Sequence, residues 1–309
     1  MVNYNQTSTD FFLLGLLPPS KIGLFFFSLI MLMFLMVLLG NLSMVLLIVL
    51  DTRLYTPMYV LLSQLSHIDL NYISTTIPKM AFNYLLGNKS TLFIGCGVQN
   101  FFFMTLVGTE GLLLTCMAYE RYVAICFPLY YPTQMSKRVC VLMIAGSWIT
   151  DASNSSAHTA YILHIPYCRF RTINHFFCDI PAMMTLACMD IWFYECTVFV
   201  NTIFFLLLPF MAIAYSYSQV LSACVQWQGG RRVYWTCSTH LTMVTLFYAP
   251  FVYNYLCPRS LRSPTEDVIL TVFYTILIPV LNPVIYSLRN KEVMGSLRRV
   301  IQRIHFVKM

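Results

Sequence analysis

The stretch MAYERYVAICFPLYYP, residues 117–132, decides how this chain is to be read. It closes an apolar run that begins near Leu92 and contains Glu110 as its only charged residue before Glu120. A helix over 92–125 is longer than the ~20 residues that cross a ~30 Å hydrocarbon layer. Glu120-Arg121-Tyr122 stands where that helix would leave the layer. Arg121 is a fixed cation with five donors, and Glu120 beside it can hold it in one rotamer. Taken alone, the pair also fits a snorkelling interfacial contact.

Six further runs of this kind flank it. They cover about 23–50, 57–86, 139–162, 197–225, 233–256 and 268–288. The chain has 309 residues, 58% of them apolar and 10% charged, with a mean hydropathy of +0.69. Soluble domains carry about 25% charged residues, so this chain has too little polar surface to coat a globule in water. The expected fold is all-α: a seven-transmembrane helix bundle. The fourth run is the most polar, with Asp151, Ser153, Asn154, Ser155, Ser156 and His158 in its outer half. These groups are expected to face the bundle or water, because lipid cannot satisfy them.

The net charge of +7 is a topology signal and not a nucleic-acid footprint. If the first run enters from outside, the inner segments hold 12 Lys/Arg and the outer ones six, with Lys79 inside a run. That asymmetry satisfies the positive-inside rule. It predicts an extracellular N-terminus over 1–22, a membrane domain over 23–288 and a cytoplasmic tail over 289–309, in a multi-pass protein of the plasma membrane. In the tail, Val293, Met294, Leu297, Val300, Ile301 and Ile304 recur at helical spacing around Arg298, Arg299 and Arg303. The pattern suits a short amphipathic helix on the anionic inner leaflet. The first 20 residues lack the basic start and small-residue site of a cleaved signal peptide, so the first run is expected to act as an uncleaved anchor. Asn5-Gln6-Thr7 is a glycosylation sequon on the outer side and Asn88-Lys89-Ser90 a second candidate. Asn41-Leu42-Ser43 is intramembrane and is set aside. No internal repeat or second domain is visible.

Eleven cysteines are present. Cys116, Cys126, Cys140, Cys224 and Cys237 read as small apolar residues. Cys96 opens the third helix on the oxidising face, and Cys168, Cys178 and Cys188 lie in the long outer connection before the fifth. Four cysteines allow three pairings. In the seventh run, Asn282-Pro283-Val284-Ile285-Tyr286 places a proline where it removes a backbone donor and kinks the helix near its inner end.

Together these stretches make the chain resemble the olfactory receptors, a branch of the rhodopsin-like G-protein-coupled receptors, over essentially its whole length. The matching segments include Gly40-Asn41, LYTPMY at 54–59, Ser66–Leu70 around Asp69, Pro78-Lys79-Met80, MAYERYVAIC, Ser147-Trp148, INHFFCDIP at 173–181, Ser216-Tyr217, Thr236–Leu241 with His240, and PVLNPVIYSLRNKEV at 279–293. The resemblance implies that Cys96 pairs with Cys178 and Cys168 with Cys188. It implies an odorant-binding receptor that activates a stimulatory, olfactory-type heterotrimeric G protein. Glu120, Arg121, Tyr122, Tyr217, His240, Asn282, Pro283 and Tyr286 would serve coupling. Two departures stand out. Glu120 replaces the family's usual Asp, and residues 222–235 read SACVQWQGGRRVYW, a shortened third inner loop with Trp235 where a small residue is usual. The second departure predicts weak coupling. Asp151 stands where the family often has Gly.

The ligand site can be read in part from spacing. Asn100, Phe103, Met104, Val107, Gly108 and Gly111 share a face of the third helix at i, i+3, i+4 intervals. No carboxylate lies between Cys96 and Glu110, and a biogenic ammonium would need an anchoring anion there, so an amine receptor is disfavoured. Family position adds Asn201, Thr202, Phe205, Phe251, Val252, Tyr255 and Thr275, with Tyr248 as a toggle beneath them. Such a cavity is mostly apolar with a few hydrogen-bonding groups, which suits a small, neutral, volatile molecule.

Asp69 and Glu110 fall at similar depth, roughly 25 Å and 21 Å from the outer ends of neighbouring helices at 1.5 Å per residue. Two adjacent buried carboxylates do not both ionise without compensation. Either a sodium ion lies between them or they share a proton; no other cofactor is expected. Rival classes fit less well. A transporter or channel would show repeated halves or broken helices with ion-lining charges near midplane, where only Asp69, Glu110 and Asp151 qualify and no repeat is apparent. An enzyme would need a nucleophile–base pair or a metal cluster. An orphan seven-helix receptor with impaired coupling is the remaining alternative.

Overall fold

A computed structural model describes residues 11–87, 89–167, 172–173, 175–226, 230–256, 264–289 and 291–307. Asn5, Asn88, Cys168 and the side chains of Trp235 and Tyr255 lie outside what it describes. Long helices carry the architecture: α1 Lys21–Leu50, α2 Pro57–Leu86, α3 Phe93–Cys126 and α4 Lys137–His164. Helix α5 runs through Trp192–Thr202, Ile203–Leu207 and Leu208–Gln226, and α6 is Gly230–Leu256. Helix α7 comprises Pro264–Val272, Phe273–Leu277 and Ile278–Arg289, and α8 is Lys291–Val307. They form a seven-helix bundle, with α8 as an appendix at its inner end.

Two of these helices contain a wide π turn, Ile203–Leu207 in α5 and Phe273–Leu277 in α7. Each precedes a proline, Pro209 or Pro279. The extra residue of a π turn relieves the clash and missing donor that a proline imposes on the turn before it. It also re-aims the side chains of that turn, among them Phe205 and Thr275.

Glycine and asparagine set the α1–α7 contact. A Cβ on Gly40 would come within 2.9 Å of the Pro283 ring. Asn41 donates to the carbonyls of Val37 and Pro279 at 3.2 and 3.3 Å. Asn41 is fully buried, which agrees with setting its sequon aside.

The polar residues of helix α4 divide between two faces. Asp151, Ser155 and His158 are buried, yet Ser153 and Ser156 face outward. Their hydroxyls donate to the carbonyls of Ile149 and Ala152, four residues back, at 2.8 and 2.7 Å. Each exposed serine thus has its hydroxyl satisfied by its own helix.

At the outer end the N-terminal segment is built into the fold. Strand β1, Phe11–Leu13, lies between β2, Ser90–Thr91, and β3, Thr172–Ile173, antiparallel to the first and parallel to the second. Phe11 and Leu13 are fully buried. The Phe11 ring packs 5.7 Å from Phe93 and 5.3 Å from Tyr167, centroid to centroid.

Candidate ligand pocket and coupling site

The outer loop before α5 is fastened over the bundle by Cys96–Cys178, with 5.3 Å between Cα atoms. Cys188 is also disulfide-bonded. Gln99 on α3 reinforces the first link: its Nε2 donates to the Thr75 carbonyl of α2 at 2.9 Å, and its Oε1 accepts from the Cys178 amide at 3.2 Å. The loop thereby drives Phe177 down onto Phe103, with ring centroids 4.8 Å apart. Phe103 also contacts Tyr72 of α2 and Tyr274 of α7. Tyr274 in turn meets Phe251 of α6 at 4.8 Å, and Phe251 meets Phe247 at 5.1 Å. An aromatic wall thus joins α2, α3, α6, α7 and the loop, with Met104, Val107 and Val252 packed against the same core.

Beside it, Asn201 bonds His158 Nε2 at 2.7 Å, and His158 Nδ1 bonds the Tyr194 hydroxyl at 3.1 Å. Thr202 donates to the Val198 carbonyl, while Thr275 is buried and donates to the Thr271 carbonyl. Below the wall, Tyr248 is almost fully buried and donates to the Gly111 carbonyl at 3.1 Å. That bond ties α6 to α3 directly under the pocket. The loop histidine His175 is stacked on Phe176 and buried, which pushes its imidazole down to about 4.

At mid-depth, Asn282 donates to both Asp69 oxygens, at 3.0 and 2.8 Å. Glu110 is buried within electrostatic reach of Asp69. The two carboxylates and Asn282 therefore meet as one group, and Asn282 Oδ1 is buried without a hydrogen bond. Among the described residues, no group of three or more His, Cys, Asp or Glu side chains is arranged to hold a metal ion.

At the inner end, Arg121 Nε lies 3.4 Å from Glu120 Oε2, while Tyr131 of the following loop donates to Glu120 Oε1 at 2.7 Å. Tyr217 of α5 and His240 Nδ1 of α6 bond at 2.5 Å, with Arg121 and Tyr286 in electrostatic reach of the Tyr217 hydroxyl. Tyr122 packs edge-on against Phe127. Helix α8 docks through Asp51, which accepts from Ser296 at 2.5 Å and from Arg299 at 2.8 Å. These two donors hold the Asp51 carboxyl well below its usual range. Tyr59 adds a bond to Glu292 at 2.9 Å.

Of the outer residues chosen from sequence, Phe103, Met104, Val107, Phe251 and Val252 pack in one core with the aromatic wall, while Asn201 bonds His158. Of the inner ones, Glu120, Tyr217, His240 and Tyr286 lie near Arg121, and Asn282 lies on Asp69. Sequence reasoning missed Phe177, Tyr274, Gln99 and the α8 latch. Phe177 sits in the quoted INHFFCDIP stretch next to Cys178, and that adjacency was the available signal. The latch joins residues 245 and 248 positions apart and left no local pattern.

The comparisons agree with this architecture. A family model described as olfactory receptor matches residues 30–304. Human olfactory receptor 2L8 and human olfactory receptor 2L5 are each 68% identical over 312 aligned residues, covering all of both chains. Mouse olfactory receptor 2V1 is 47% identical over 303 residues, covering 97% of this chain and 96% of its own.

Proposed function

The chain belongs to the olfactory receptor family, odorant-binding seven-helix receptors and not enzymes, and on that premise we propose how this member is oriented and signals. It spans the plasma membrane with its N-terminus outside and its C-terminus in the cytosol, a reading the Lys/Arg asymmetry supports. A small, mostly apolar ligand binds among Phe103, Met104, Val107, Gly108, Asn201, Thr202, Phe205, Phe251, Val252, Tyr255 and Thr275. The observation that carries this reading is the aromatic wall running from the loop residue Phe177 to Tyr248, whose hydroxyl holds α6 to α3. A ligand that binds better when that bond is broken shifts the bundle toward its active arrangement. Tyr217–His240 and Glu120–Arg121 then rearrange, and Arg121 turns to a stimulatory, olfactory-type G protein.

Asp69, Glu110 and Asn282 form an oxygen-rich set that fits a sodium ion, or a shared proton, in the inactive state. Sodium is expected to raise the melting temperature of purified receptor relative to a large organic cation. No difference for wild type between pH 5 and 8 counts against the ion. A Glu110→Gln variant with unaltered pH dependence counts against the shared proton as well.

Ligand-evoked cyclic AMP tests the function itself. Cells with surface-stained receptor are expected to respond to members of a broad odorant panel, and weakly, because of the loop at 222–235. Rebuilding that loop to the family pattern is expected to raise the response. Silence of both forms at normal surface density would contradict the reading.

A further inference from the structure

Asp151 is the only carboxylate of α4, and the function proposed above gives it no task. It is 2% exposed, and its Oδ2 has no hydrogen-bond partner. The carboxyl group presses against Gly108, one of the residues that line the pocket face of α3. A Cβ added at Gly108 would overlap Asp151 Oδ1. The missing side chain of Gly108 thus leaves the space that an acidic group from α4 occupies against α3. Asp151 also lies within electrostatic reach of the Tyr248 hydroxyl.

His158 is seven residues farther out on the same helix, about 10 Å at 1.5 Å per residue. Both of its ring nitrogens are already engaged, by Tyr194 and Asn201, so it leaves the Asp151 oxygen unmet. An acceptor buried without a donor costs about 1–3 kcal/mol, and an unpaired charge costs more. A donor arriving with the ligand removes that cost. Hydrocarbons, ethers and esters bring none. An amine brings several N–H donors together with a positive charge, and such charge-assisted bonds are about twice as strong as neutral ones.

The surroundings favour a cation as well. Phe247, Tyr248 and Phe251 form a contiguous aromatic group, and Phe247 reaches α3 at Gly111, where a Cβ would lie 3.3 Å from its ring. Gly111 is one turn from Gly108, so this aromatic group approaches α3 one turn from the carboxyl group, and aromatic rings attract cations.

We propose that this pocket takes small, mostly apolar amines, with Asp151 as the residue that receives the ammonium group beside Gly108 and the Phe247–Tyr248–Phe251 aromatics. The absence of a carboxylate on the outer part of α3 is answered by one supplied from α4. The proposal rests on the odorant-receptor reading and deepens it by naming the ligand class.

The test measures thermal stabilisation of the purified full chain, so it does not depend on G-protein coupling. The probes are straight-chain and aryl-substituted primary amines, with the alcohols and hydrocarbons of the same carbon skeletons. One or more amines are expected to raise the melting temperature at concentrations about tenfold below those of their alcohol counterparts. Asp151→Asn is expected to weaken the amine effect at least about tenfold while shifting the alcohols by less than about threefold; tenfold corresponds to about 1.4 kcal/mol. Asp151→Ser, which removes the carboxyl group by another route, should repeat the loss. Stabilisation by neutral probes alone, or equal amine potency in wild type and Asp151→Asn, overturns the amine assignment and leaves odorant binding standing. Failure of both variants to fold also overturns it, by giving the carboxyl group a structural role. If no probe of any class stabilises the folded receptor, odorant binding itself falls with it.

Discussion

At the inner end of the bundle Tyr217 meets His240, Glu120 meets both Arg121 and Tyr131, and Asp51 meets Ser296 and Arg299. In the outer half Asn83 and Asn100 are buried with neither amide atom hydrogen-bonded, the Thr105 hydroxyl is likewise unmet, and so, nearer mid-depth, are Asp151 Oδ2 and the Thr109 hydroxyl. Burial is comparable in the two regions; the difference is in who satisfies the polar groups. The inner groups largely satisfy one another across helices, which suits a device that must hold one arrangement until it is triggered. The inner exceptions are the Tyr286 hydroxyl, His240 Nε2 and Glu120 Oε2, the last held by its ion pair with Arg121, and they belong to the group that activation is proposed to rearrange. The outer groups are held open by a rigid frame of disulfide, β1 and stacked aromatics, and their partners must come from a ligand or water.

The largest effect is expected where the frame itself is cut. Cys178→Ser removes the link from the loop to α3, and loss of a native disulfide commonly costs roughly 2–5 kcal/mol. Surface staining by flow cytometry should fall to background. Wild-type staining together with a wild-type ligand response would show that Gln99 and β1 alone hold the cap.

A paired substitution sharpens the contrast. Tyr217→Phe leaves His240 buried without its α5 partner and should destabilise purified receptor by about 1–3 kcal/mol. Asn100→Leu removes an amide with no partner to lose, so stability should hold or rise while ligand potency changes. Equal losses of stability in both would erase the distinction between a self-satisfied inner end and an open outer end.

The smallest expected effects are in pH dependence. His175 is held near 4 by burial, below the ordinary 6.5, so its neutral form belongs to the folded cap. The stability it contributes is complete above about 6.5 and is lost as pH falls toward 4. Asp51 is held below its ordinary 3.8, first by the Ser296 hydroxyl and then by Arg299. Its contribution is present above that value and is lost only as pH falls further. Acid should therefore loosen the cap before the α8 latch. Melting temperature against pH for His175→Phe should be flatter between 4 and 6.5 than wild type, while Asp51→Asn should match wild type in that window. The reverse pattern would misplace both groups.

The helices were legible because hydropathy and charge report directly on a low-dielectric solvent. The run expected over 57–86 matches α2, Pro57–Leu86, to the residue. Helix α5 begins at Trp192, five residues before the expected Thr197, because its first turn stands in the polar outer zone where hydropathy loses contrast. The strands were not legible. Two- and three-residue strands have no period to detect, and β1 pairs with segments about 80 and 160 positions away. The nearness of Asp69 to Glu110 could be read from depth along neighbouring helices, since helix rise is constant. Phe177 could not, because a loop has no such ruler.

The central claim is that the outer half binds and the inner half transmits. The most direct measurement is an agonist concentration–response curve for cyclic AMP, taken for wild type, Phe251→Ala and Arg121→Ala at matched surface density. The account predicts that Phe251→Ala moves the half-maximal concentration up about tenfold, roughly 1.4 kcal/mol of lost contact, and keeps most of the maximum. Arg121→Ala should abolish the maximum while the agonist still stabilises the purified variant against heat. A loss of maximum in Phe251→Ala with unchanged half-maximal concentration, or full signalling by Arg121→Ala, would contradict it.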